Sequence, residues 1–177
     1  MFSSLRKAVA WVVYRLIRAY WWVRRPIILG VRVVIADGNR VLLVKHSYRE
    51  GWFLPGGTPE EGESLVETAR REAQEETSVA LHDVTLLGMY SSLDGSESNH
   101  VAVFQGELRD QRLNQAAPPS KGAVHTPEVS EVRWVSATDP PQQAVEQTRL
   151  ILQDWRRGRT STYRLVRETQ DPDTCRP

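Results

Sequence analysis

An α/β sandwich is the fold class that the sequence predicts, and three observations predict it. Short alternating apolar segments bounded by Gly, Asn and Asp recur through the middle of the chain, a helix start is written into Ser64 to Glu67, and a second helical run follows at residues 141 to 157. Strands interleaved with helices bury a sheet against helical layers. The 177 residues, 40% hydrophobic and 25% charged, suffice for a single substantial core. A formal net charge of +1 gives no global pull toward nucleic acid, so no specific nucleic-acid partner is expected. Cys175, the only cysteine, lies in a polar tail where nothing would activate it. An intramolecular disulfide is excluded, and a reducing, cytoplasmic location is the expectation.

In chain order, residues 1 to 26 come first, cationic and aromatic. Ala8 to Val23 is apolar except for Arg15 and Arg18 and is flanked by Arg6, Lys7, Arg24 and Arg25. Two internal arginines in so short a run disfavour a bilayer span, and no small-residue cleavage site follows. Two readings remain open: a helix attracted to an anionic membrane surface, or one packed on the domain or on a homodimer partner. Residues 27 to 160 form the main domain, and residues 161 to 177 read as a polar tail. Ile27 to Ile35 and Val41 to Lys45 are expected strands joined by a turn at Asp37-Gly38-Asn39. Val84 to Leu93 and His100 to Leu108 are two more, and Val132 to Val135 a further short one. Residues 109 to 127 form a long connection without periodicity, the kind that is functional or disordered.

The chemistry concentrates between Gly57 and Val79. Gly57 is followed after five residues by Glu63 and after seven more by Arg71-Glu72-Ala73-Gln74-Glu75-Glu76. Ser64 and Glu67 make an S-x-x-E capping box that starts a helix. Helical spacing gathers Glu72, Glu75 and Glu76 on one face, with Val66, Ala69 and Ala73 on a neighbouring face suited to burial. Crowded carboxylates repel, so the arrangement calls for a cation. Oxygen donors alone select a hard divalent ion, Mg²⁺ or Mn²⁺, over zinc. A solvated charged helix is the plain alternative, but Trp52-Phe53-Leu54-Pro55-Gly56-Gly57 upstream supplies a glycine turn that lets backbone approach an ion. Arg71 is expected to orient the carboxylates and Glu63 to support the loop and the outer metal shell. Lys45 and Arg49, just before the turn, are placed to meet phosphates; for His46, beside them, a structural or solvent-facing role is favoured over phosphate contact. Trp52 either stacks on a base or belongs to the core.

This pattern resembles the signature of the Nudix hydrolases, enzymes that cleave nucleoside diphosphates linked to another moiety. Six fixed matches at ordinary residue frequencies arise by accident roughly once in 10⁶ trials. The resemblance implies a mixed sheet between helices, a nucleotide-type substrate and metal-assisted attack of water on phosphorus. It implies that the Gly56 carbonyl joins Glu72, Glu75 and Glu76 around the metal, and that Glu128, six residues before Trp134, reaches the metal cluster or the attacking water. The proton of that water would go to Glu128 or a helix glutamate. Two positions depart from the family pattern: Ser78 stands where glycine is usual after the helix, and Ala73 where a bulky aliphatic is usual. A nucleotide-binding module without catalysis is the competing class, but it would be marked by loss of Glu72 or Glu76, and both are present.

Overall fold

The computed structural model describes residues 27–93, 98–108 and 128–166. The expectations for residues 1 to 26 and 109 to 127 lie outside the described residues. The elements are β1 (Ile27–Asp37), β2 (Arg40–His46), α1 (Leu65–Thr77), β3 (Leu81–Ser92), β4 (Ser98–Leu108), β5 (Val129–Ser136), α2 (Glu146–Arg156) and β6 (Thr162–Val166). Six strands make one sheet in the order β5-β2-β1-β4-β3-β6. The β1–β4 and β3–β6 pairs are parallel and the other pairs antiparallel, so the sheet is mixed.

Alternation along the strands divides the core into two layers. Val31, Val33, Ile35, Leu42 and Val44 pack with Ala69 and Ala73 of α1. Val34, Val41, Leu43, Val101 and Val103 pack with Ile151 and Leu152 of α2. Valine and isoleucine dominate both faces because a strand covered on both sides needs apolar side chains in both directions. The result is an α/β/α sandwich.

The sheet contains an opening that positions everything else. β1 and β2 pair only beside their turn, at Ala36↔Val41 and Asp37↔Arg40. Farther along, the Phe53 to Gly57 segment enters the gap and bonds to both strands. Phe53 and Val44 exchange backbone hydrogen bonds of 2.9 Å, while Val33 and Val31 donate to the carbonyls of Pro55 and Gly57 at 2.8 Å. Gly56, with φ 143°, fits where a Cβ would lie 2.1 Å from the Val31 carbonyl oxygen. Only glycine meets both the conformation and the clearance.

α1 begins as the capping box predicts: the Ser64 hydroxyl accepts from the Glu67 N–H and the Glu67 carboxylate accepts from the Ser64 N–H. It ends on Ser78 in the left-handed region, φ 58° and ψ 22°, which strains a residue bearing a Cβ by about 1 kcal/mol. α2 starts later than the run at 141 to 157 suggests, at Glu146, because the preceding residues bond to the Trp52 backbone instead: the Trp52 N–H donates to the Gln143 carbonyl at 3.0 Å and the Val145 N–H to the Trp52 carbonyl at 3.2 Å.

Thr162–Val166, read from sequence as part of a polar tail, instead forms β6. It docks against β3 where Gly88 lacks a side chain; a Cβ there would lie 2.2 Å from the Thr162 carbonyl oxygen. A buried carboxylate anchors it: Asp154 on α2 accepts from the Tyr90 hydroxyl at 3.0 Å and pairs with Arg159 and Arg164 at 3.1 Å.

Candidate active site

The inserted glycine segment and α1 meet at Glu76. This residue is 4% exposed, and its Oε2 accepts the Gly56 N–H at 2.8 Å. Burial pushes the Glu76 carboxyl up to about 7, with Glu72 and Glu128 adding repulsion while the Gly56 bond and Arg32 oppose it. One turn earlier, Glu72 lies so close to Gly57 that a Cβ there would sit 2.2 Å from Glu72 Oε1. Burial also raises the Glu72 carboxyl, and Arg71 pulls it the other way.

Arg71 gathers the remaining carboxylates. Its Nε and Nη2 donate to both oxygens of Glu63 at 2.9 and 3.0 Å, and its Nη1 donates to Glu72 at 2.9 Å and Glu75 at 3.1 Å. Arg71 Nη2 also donates to the Thr58 carbonyl at 3.2 Å. The guanidinium hydrogen bonds, with the Glu60 N–H, hold Glu63 at about 2, so it stays ionised and keeps Arg71 fixed. Glu63 thereby ties the loop before α1 to the carboxylate helix. Glu75 turns to Arg71 and is partly exposed; it does not line the cleft formed by Glu72 and Glu76.

That cleft, about 310 Å³, is within the range of small-ligand sites. Glu72, Glu76, Gly56 and Gly57 form one wall, and Glu128 and Arg49 also line it. The Glu128 carbonyl accepts the Ser47 N–H at 2.7 Å, which brings the start of β5 to the end of β2. Arg49 lies 4.8 Å from the centre of the Phe53 ring. Two residues expected to bind substrate are elsewhere. Trp52 is 3% exposed in the α2-side core, with the Arg133 guanidinium 4.9 Å from its ring centre. Lys45 pairs with Glu131 in the β2–β5 ladder and does not line the cleft. The alternation of β2 sends Val44 and Lys45 to opposite faces, and proximity in sequence to the glycine turn did not reveal this.

The structure adds Arg32 and Tyr48. Arg32 lines the cleft and donates to the carbonyls of Leu54, at 3.2 Å, and Gly56. Burial lowers its pKa, opposed by attraction to Glu76 and Glu72. An arginine amid the apolar run of β1 was the available signal. Tyr48 is 69% exposed at the cleft, its ring 5.3 Å from that of His46.

The donor set fits a hard divalent ion. Two carboxylates and the carbonyl of Gly56 offer oxygen only, and Mg²⁺ characteristically binds through one or two carboxylates together with substrate phosphates and waters. Among the described residues no group of three His, Cys, Asp or Glu side chains is gathered for an ion by itself; Glu75 is held by Arg71 instead.

Burial has a measurable consequence at Glu76. The folded protein holds this proton more tightly than the unfolded chain, so the stability contributed is present below about pH 4.5 and lost as pH rises through about 7. Across that window, the melting temperature of ion-free protein is expected to fall more steeply for the wild type than for Glu76→Gln. Parallel slopes would show that Glu76 does not titrate there.

Fold and donor set together describe a carboxylate-bearing helix laid on a mixed sheet, with its acids at a glycine lip. Residues 26–155 match the NUDIX domain family, and the chain belongs to the Nudix hydrolase family. It is 38% identical over 91 residues to an ADP-ribose pyrophosphatase of Methanocaldococcus jannaschii, covering 46% of this chain and 54% of that protein. It is 37% identical over 60 residues to an 8-oxo-dGDP phosphatase of Homo sapiens, covering 32% of this chain and 19% of that protein. The matches thus span about half or less of these curated relatives. A MutT Nudix hydrolase of Burkholderia pseudomallei has the same fold with a TM-score of 0.61 at 25% identity, over 72% of this chain and 97% of that one. A Nudix hydrolase of Nitrosomonas europaea gives a TM-score of 0.64 at 19% identity, over 77% and 93% respectively.

Proposed function

We propose that the protein is a Mg²⁺- or Mn²⁺-dependent pyrophosphohydrolase acting on a nucleoside diphosphate linked to another moiety. The observation that carries this reading is Glu76, buried, bound by the Gly56 N–H and raised to about 7. A divalent ion bound there would neutralise phosphate oxygens and lower the barrier to attack by water. Glu72, Glu76 and the Gly56 carbonyl would hold it. Arg71 keeps Glu63, Glu72 and Glu75 in place and acts by positioning. Arg49 and Arg32 supply positive charge along the cleft for the diphosphate. Glu128, facing the same cleft, is the proposed acceptor of the proton from the attacking water.

The names of the relatives make ADP-ribose and oxidised guanine nucleotides the first substrates to try. Purified full-length protein should release phosphate-containing products from at least one member of a panel of nucleoside triphosphates, nucleotide sugars, ADP-ribose, capped RNA ends and 8-oxo-guanine nucleotides. Chelation of divalent ions should abolish release. Product identification by mass would show which anhydride bond breaks. Binding without hydrolysis across the panel would favour the silent nucleotide-binding module.

A further inference from the structure

His46 is a buried polar side chain that the proposed reaction leaves unused. The side chain is 5% exposed. Its Nδ1 is the buried side-chain atom that lacks a hydrogen-bond partner among the described residues. An orphan of this kind costs about 1–3 kcal/mol, and its persistence calls for an explanation. The ring ends β2 on the face that carries Leu42 and Val44 toward α1. Tyr48 and Phe53 confine it, their ring centres 5.3 and 5.2 Å away.

The nearby polar atom is Oε1 of Glu76, 3.8 Å from Nδ1. That separation is roughly 1 Å beyond a hydrogen bond. Because Nδ1 is sealed from solvent, a substrate oxygen does not reach it, whereas a small movement of Glu76 does. Glu76 Oε2 is already engaged by Gly56. An ionised carboxylate has about four lone-pair sites, so a second protein donor still leaves sites facing the cleft. Burial, reinforced by Arg32 and Arg49, lowers the pKa of His46 and favours the neutral ring, against the Glu128 carboxylate and a hydrogen bond to the Glu128 backbone; the single N–H of that ring sits on Nδ1 when Glu76 approaches, and the Glu128 carbonyl keeps the Ser47 N–H at 2.7 Å.

We propose that His46 is a positioning residue for Glu76, its Nδ1–H donating to Oε1 when the carboxylate shifts by about 1 Å to engage a cation. Glu76 is then held through one oxygen by α1's neighbouring glycine lip and through the other by β2, with its rotation fixed. This rests on the reading of Glu76 as a metal ligand.

The test uses the full chain, with Mn²⁺ binding followed by water-proton relaxation and steady-state kinetics on the best substrate of the panel. His46→Phe keeps a ring and removes the donor. His46→Asn places an amide N–H near the Nδ1 position, and His46→Gln near the Nε2 position. The Phe and Gln variants are expected to bind Mn²⁺ about 10- to 100-fold more weakly and to lose kcat by a similar factor. KM for the nucleotide should stay within about twofold, since uniform substrate binding is untouched. Asn should restore most of the loss, and the Phe variant should melt no lower than wild type. In a Glu76→Gln background, His46→Phe should change Mn²⁺ affinity no further. Unaltered Mn²⁺ affinity in His46→Phe, equal behaviour of Asn and Gln, or a full additional loss in the Glu76→Gln background would each overturn the inference. A wild type that binds Mn²⁺ yet hydrolyses nothing would sink the proposed activity while leaving the His46 comparison decisive. A wild type that binds no Mn²⁺ would sink both.

Discussion

Glu76→Gln is expected to lower kcat by about 10³-fold, with the fold intact. Glutamine has nearly the same shape, and its carbonyl oxygen can still accept the Gly56 N–H that now reaches Glu76 at 2.8 Å. What disappears is the negative charge, which burial makes costly to hold and which an ion would repay. Loss of that charge forfeits roughly 4 kcal/mol of transition-state stabilisation, the scale of metal-based charge neutralisation, and each 1.4 kcal/mol is about tenfold in rate. The comparison belongs above the Glu76 midpoint of about 7, where the wild-type carboxylate is ionised. A variant retaining kcat within about tenfold would remove Glu76 from the ligand set. A lowered melting temperature would instead assign it a structural role.

Gly56→Ala is expected to destabilise the domain by about 3–5 kcal/mol, combining backbone strain with a steric clash. At φ 143° an alanine is disfavoured even in open space, and its Cβ would lie 2.1 Å from the Val31 carbonyl oxygen and 2.9 Å from the Arg32 Cα. These are backbone atoms of a central strand and have little room to retreat. Gly57→Ala should behave differently, because the atoms in its way are the Glu72 carboxylate at 2.2 to 3.1 Å. A side-chain end moves aside at small cost, so this variant should fold and lose activity by displacing a proposed ligand. Denaturant unfolding and kcat on both variants separate the cases. Equal stabilities would mean that the glycine segment is not wedged as described.

The parts of the fold that local chemistry dictates were legible in the sequence. The capping box of Ser64 and Glu67, the apolar stripe of Ala69 and Ala73 and the shared face of Glu72 and Glu76 each depend on residues within two helical turns. Five strands could be placed because β-branched alternation is also local. β6 was missed because it is short and its docking depends on Gly88, a residue far away in sequence. Trp52 and Lys45 stand beside the glycine turn in sequence, which leaves open whether Trp52 meets a base or the core, because the direction of each side chain is set by the sheet. Arg32 went unread because its partners, Leu54 and Gly56, come from a segment that enters the sheet only after the fold has formed.

The insertion of Phe53 to Gly57 between β1 and β2 gives the lip of the cleft the hydrogen-bond environment of a strand. Most catalytic loops belong to the least protected parts of a protein and open locally without disturbing the core. Here the amides of Val31 and Val33 donate to the lip's own carbonyls, and Phe53 and Val44 are cross-linked in the same way. Freeing the lip therefore requires β1 and β2 to open together. Amide exchange at Val31, Val33 and Phe53 should accordingly proceed only through large-scale unfolding, at a rate set by the stability of the central sheet.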